Sequence, residues 1–145
     1  MIRYCNIHVF VLAFFAAANL FAGHPLITDD TDTQGTGTLQ IEFTPEYESC
    51  AECGAAEIPL TFTYGIFDNA DFVVGVPYMF VGIAGDSPVN YGFSDISFEI
   101  KWNFYKTDAL NIALKPGAGI PTGNHEKGLG CGNFTYSFTF ISSYY

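Results

Sequence analysis

The chain is poor in cations. Of its 145 residues only five are lysine or arginine, against 15 aspartates and glutamates, for a formal net charge of -10. Nucleic-acid binding needs basic side chains to neutralise phosphates, so nucleic acid is excluded as a partner. Charge of either sign is scarce: charged residues make up 14% of the chain, whereas soluble domains carry about 25%. Beyond the first two dozen positions there is also no apolar run of the roughly 20 residues that a helical membrane span requires. If the rest of the chain meets a membrane it must do so through strands, because lipid tolerates only helices and closed barrels.

The motifs of common chemistries are missing as well. No G-x-G-x-x-G follows a strand, and Gly123-x4-Gly128 is followed by Leu129 instead of lysine, which excludes a phosphate loop. No Ser/His/Asp order stands out, and His125 beside Glu126 and Lys127 reads as a solvated loop cluster. No catalytic residue is assigned: the chain is read as a non-enzyme without cofactor. Asp30, Asp32 and Gly35 resemble the opening of a calcium loop, but Ile41 stands where the bidentate glutamate belongs. Cys50-Ala-Glu-Cys53 has metal or redox spacing, yet zinc needs two further ligands and a redox motif needs a strand-to-helix context. No metal is expected. In an oxidising compartment Cys50, Cys53 and Cys131 are candidates for a loop disulfide, within the first pair or from one of them to Cys131.

What is present is an export signal and a repeated two-faced pattern. Residues 1–22 carry an early positive charge at Arg3, an apolar run from Val9 to Ala18 and small residues near Ala22, the build of a secretory signal peptide. Residues 23–37 form a polar leader without period, expected to be irregular, solvent-exposed and periplasmic. From residue 38 apolar and polar residues alternate with the strand period of two. Leu39, Ile41, Phe43 and Tyr47 oppose Gln40, Glu42, Thr44, Glu46 and Glu48. Leu60, Phe62 and Tyr64 alternate with Thr61 and Thr63, and Phe72, Val74, Val76, Tyr78 and Phe80 oppose Asp71, Val73, Gly75, Pro77 and Met79. Ile96, Phe98, Ile100, Trp102 and Phe104 oppose Ser97, Glu99, Lys101 and Asn103. Leu110, Ile112 and Leu114 oppose Asn111, Ala113 and Lys115, and Phe134, Tyr136, Phe138 and Phe140 oppose Thr135, Ser137 and Thr139.

This predicts an all-β chain, an antiparallel up-and-down meander of about six strands. Short turns are expected near Asp68 and Thr107, and long loops over Ser49–Glu57, Gly82–Gly92 and Thr122–Gly132. Pro77 is expected to make its strand an edge or to mark a bulge. Acidic side chains on one face cannot enter a dry core unpaired, so that face is expected to be wet. The alternation of short and long connections fits an outer-membrane β-barrel. In that reading Glu42, Glu46, Glu99, Lys101 and Lys115 face the lumen and the aromatic faces meet outer-membrane lipid. The alternative is a soluble periplasmic β-sandwich or lipocalin-like binding module whose apolar faces form a dry core.

Several stretches resemble one family, the MetA-pathway of phenol degradation proteins. They are HPLITDDTDTQGTGTLQIE, LTFTYGIFDNADFVVGVPY, GFSDISFEIKWNFY, and Ala113 to Gly123 followed by KGLG. The resemblance implies a bacterial outer-membrane barrel over residues 38–145, passing small solutes, aromatic or hydrophobic ones among them, without turnover. Family chains run longer, and six strands fall short of the eight of the smallest single-chain barrels. The expectation is therefore a truncated gene product lacking a C-terminal barrel half, with self-association as the alternative route to closure. Ser142 and Ser143 interrupt the aromatic alternation, so the end is a poor match for the terminal strand of a barrel. N-terminal sequencing of the exported protein is expected to begin at Gly23; a chain retaining Met1 would contradict the cleavage site.

Overall fold

The computed structural model describes residues 29–49, 54–82 and 89–145. The signal segment, Cys50, Cys53 and most of the Gly82–Gly92 connection lie outside these residues. Ten strands follow in order: β1 (Leu39–Phe43), β2 (Glu46–Ser49), β3 (Gly54–Ile58), β4 (Leu60–Phe67), β5 (Ala70–Gly75), β6 (Tyr78–Val81), β7 (Asn90–Phe93), β8 (Ile96–Lys106), β9 (Leu110–Ile120) and β10 (Thr135–Tyr144). All pairing is antiparallel. One sheet has the order β1-β4-β5-β8-β9-β10 and the other β2-β3-β6-β7.

The two sheets are one meander crossed by a fault. The chain leaves one sheet and enters the other at Thr44-Pro45, Pro59, Val76-Pro77 and Ser94-Asp95, while β9 ends against Pro121. Proline has no N–H to give a ladder, and in register these positions lie side by side: Phe43 pairs with Leu60, Thr61 with Gly75, Gly75 with Ser97, and Ser97 with Gly119. Remaining hydrogen bonds stitch the fault. Val76 N donates to Leu60 O at 2.8 Å and Ser94 N to Pro77 O at 2.9 Å. The Thr122 hydroxyl accepts from Ile96 N and donates to Ser94 O, both at 3.0 Å. Six expected strands are thus present as six lines, four of them cut in two.

The sheet is inverted relative to a soluble one. Tyr136 is 83% exposed, Phe138 69% and Ile41 56%, whereas Asp71 is 1% exposed and Lys101 7%. The polar face is covered by the leader. Gly65 N donates to Thr38 O at 2.9 Å and Gly37 N to Gly65 O at 2.8 Å, which turns the chain from β1 back across the sheet. Gly37 holds φ at +80°, a left-handed value that a side chain would strain. Thr31, fully buried, donates its hydroxyl to Ser143 Oγ at 3.1 Å, and Asn103 Nδ2 donates to Thr31 O at 2.8 Å.

Four expectations need correction. The leader from Asp29 to Gly37 is irregular but not solvent-exposed throughout, because the buried polar face gives its backbone and side chains partners. Gly54–Ile58 is a strand inside the expected Ser49–Glu57 loop: its Gly-Ala-Ala run has weak strand propensity, and pairing with β2 and β6 overrides it. Asn90–Phe93 likewise belongs to a strand, paired with β6. Pro77 makes neither an edge nor a bulge: it separates β5 from β6, each of which has a paired strand on both sides. In addition, a register shift between Asn103 and Tyr105 makes Phe104 the extra residue of a bulge and sets Tyr105 opposite Ile112.

A Cβ on Gly65 would overlap the Gly35 carbonyl. Gly65→Ala is expected to lower stability by about 1–3 kcal/mol, the usual cost of overpacking, read as a fall in the denaturation midpoint. An unchanged midpoint would show that the leader does not lie against β4.

Candidate functional site

The polar face gathers its charges at the centre of β8 and β9. Lys101 and Lys115 lie on neighbouring strands, between the paired positions Glu99–Gly117 and Trp102–Leu114. Like charges across a strand pair repel, so the pair needs carboxylates. Lys115 Nζ lies 3.0 Å from Glu99 Oε2 and 2.7 Å from Asp29 Oδ2. Lys101 Nζ lies 3.4 Å from Asp29 Oδ1 and 3.0 Å from Asp30 Oδ1. One carboxylate, Asp29, therefore spans both lysines with one oxygen each. Partial burial alone would raise its pKa, but the hydrogen bond from Lys115 and the charges of Lys101 and Lys115 outweigh that and hold it below the ordinary 3.8.

The rest of the leader is tied down around this bridge. Gln34 N donates to both carboxylate oxygens of Asp71 at 3.1 Å, and the Gln34 side-chain amide donates to Gln40. Thr36 meets Asp68 through its hydroxyl at 2.6 Å and its N–H at 3.3 Å, contacts that lower the Asp68 pKa. Asp32 and Lys106 form a pair at 3.3 Å; both are exposed, and such pairs contribute little. Asn103 Oδ1 is buried without a partner among the described residues, a cost that the Asn103–Thr31 bond must offset.

A second segment covers the β2-β3-β6-β7 half. Asp95, at the fault, accepts from Gly123 N at 2.9 Å and Cys131 N at 2.7 Å and so folds the Thr122–Gly132 loop inward. Within it a short 3-10 turn at His125–Lys127 is capped by the Asn124 side chain. Leu129, 3% exposed, closes against Gly92. The N–H of Cys131 and then that of Gly123 lower the Asp95 pKa, because both bonds favour the charged form.

Of the sequence-predicted lumen residues, Glu99, Lys101 and Lys115 come together in this cluster. Glu42 and Glu46 share their polar face but sit exposed on β1 and β2, away from it. Cys131 is exposed; Cys50 and Cys53, and with them any disulfide, lie outside the described residues. Asp29, Asp30 and Asp95 were not among the candidates. For Asp29 and Asp30 the signal was the density of aspartate in a chain with so few cations, each of which needs a carboxylate where it is buried; Asp95 binds backbone N–H groups and carried no such signal.

The depressed pKa of Asp95 makes the loop acid-sensitive in a definite direction. Its contribution is complete above the ordinary carboxylate value of 3.8 and is lost as pH falls through the lower folded value. Amide exchange at Gly123 and Cys131, corrected for intrinsic rate, is therefore expected to stay protected to below pH 4 and then rise. In Asp95→Ala, protection at both is expected to be lost at every pH; retained protection would contradict the anchor.

The comparisons with known proteins bear on nearly the whole described chain. The family model described as "Putative MetA-pathway of phenol degradation" matches residues 22–145. No curated protein and no solved structure matches the chain. With that match running from residue 22 through all ten strands of the described residues, the chain belongs to the family of the MetA-pathway of phenol degradation.

Proposed function

We propose that the chain is the barrel-forming part of a bacterial outer-membrane channel that lets small solutes pass along its polar face. It needs no cofactor and performs no turnover. The observation that carries the reading is the inverted sheet: rings such as Phe138 and Phe140 stand outward while Asp71, Lys101 and Asn103 are covered. In water, each exposed apolar Å² costs about 25 cal/mol; in lipid that cost is absent. A soluble sandwich would need a second layer over the apolar face, and among the described residues the covering segments lie on the polar face instead. The outer edges of β1 and β10 carry no strand among the described residues, so closure calls for further strands or a second copy.

Ile100 stands near the middle of β8 on the apolar face and is 48% exposed. In a bilayer Ile100→Arg is expected to cost about 2–4 kcal/mol, whereas on a water-facing surface such a change stays within about 0.5 kcal/mol. The expected outcome is loss of heat-modifiable, detergent-extractable protein in the variant. A wild-type chain found in the periplasmic soluble fraction, with the variant equally stable, would overturn the reading.

A further inference from the structure

We infer that Lys101 and Lys115 form a carboxylate-binding site on the polar face, and that the chain's own Asp29 occupies it as a tethered stand-in for a small organic monocarboxylate. The geometry is that of a bound ligand: two carboxylate oxygens, each directed to a different ammonium group, at 2.7 Å and 3.4 Å. Both lysines are largely covered, with side chains 9% and 19% exposed, so an anion there is held in a weakly screened position.

Charge says what kind of ligand fits. With the leader lifted away, Lys115 keeps Glu99 while Lys101 has no ion pair among the described residues. One ammonium group is then unpaired, and a single carboxylate answers it. Glu99 stays on Lys115 at 3.0 Å and discourages a second negative charge. The resident aspartate lies on a segment with no regular structure of its own, held to β5, to the turn between β4 and β5, and to β4 through Gln34, Thr36 and Gly37 respectively. It therefore acts at the high effective concentration of a tethered ligand, and a free carboxylate displaces it only by competition. Passage of such a solute rests on the lumen reading; the site itself does not.

The test is lysine reactivity in the full-length chain, which requires no transport. Reductive methylation followed by peptide mass spectrometry reads Lys101 and Lys115 separately, with Lys127 in the exposed 3-10 turn as internal reference. In the wild type both are expected to react at least tenfold more slowly than Lys127. D29N/D30N removes both leader carboxylates that reach Lys101 and Lys115, and is expected to speed both lysines several-fold while circular dichroism retains the strand signal. D29E, which keeps the charge, is expected to leave them protected and guards against a folding artefact in the double variant. Added propionate is expected to restore protection in D29N/D30N, and neither propanol nor sodium chloride at equal ionic strength to do so. Unchanged reactivity in D29N/D30N, or protection by chloride as good as by propionate, overturns the carboxylate site. Failure of the channel reading would show instead in the fractionation and Ile100→Arg experiments, which leave these labelling rates untouched.

Discussion

The structure depends on the seating of one short acidic segment on a polar sheet face. Lys101 and Lys115 stand on adjacent strands where their charges repel, and the leader's Asp29 and Asp30, with Glu99 from β8, make that arrangement tolerable. The same segment covers Asn103 and Asp71 and meets the last strand at Ser143. Burial of polar groups is affordable only when their hydrogen bonds are met, and here the leader supplies most of the partners.

Around that seat the sheet is organised in two halves. The lower half, from β1 to β10, carries the leader; the upper half, from β2 to β7, carries the Thr122–Gly132 loop through Asp95. Between them runs the proline fault, where ladder donors are lost and where Thr122 and Asp95 take over as side-chain connectors. The loop cover is anchored at the fault, whereas the leader meets the sheet away from it, at Lys101, Lys115, Asp71 and Gly65. The outward face needs no such devices. Its large apolar side chains stand exposed along β1, β4, β8 and β10 and are half-buried along β5 and β6, the pattern expected where the neighbouring phase is itself apolar.

The places where expectation and structure diverge have a common cause. Gly54–Ile58 was read as loop because glycine and alanine carry little strand preference, and only pairing with neighbours on both sides makes it a strand. Pro77 signalled an edge or a bulge, yet β5 and β6 on either side of it each have a paired strand on both sides. The leader has no period, so nothing local revealed that it would lie on the sheet. Glu99, Lys101 and Lys115 could be placed on one face from parity alone, whereas their aspartate partners come from more than 65 residues away.

By itself, the sequence determined the class, the faces and the turns: alternation with period two decides which side chains share a side, and proline, glycine and aspartate decide where a line breaks or reverses. It also determined family membership, carried by several stretches in a fixed order. Tertiary structure alone decided which face is covered and by what. That choice rests on contacts between Asp29 and Lys101 or Lys115, between Thr31 and Ser143, and between Asp95 and Cys131, pairs distant along the chain whose attraction exists only once the meander brings them together.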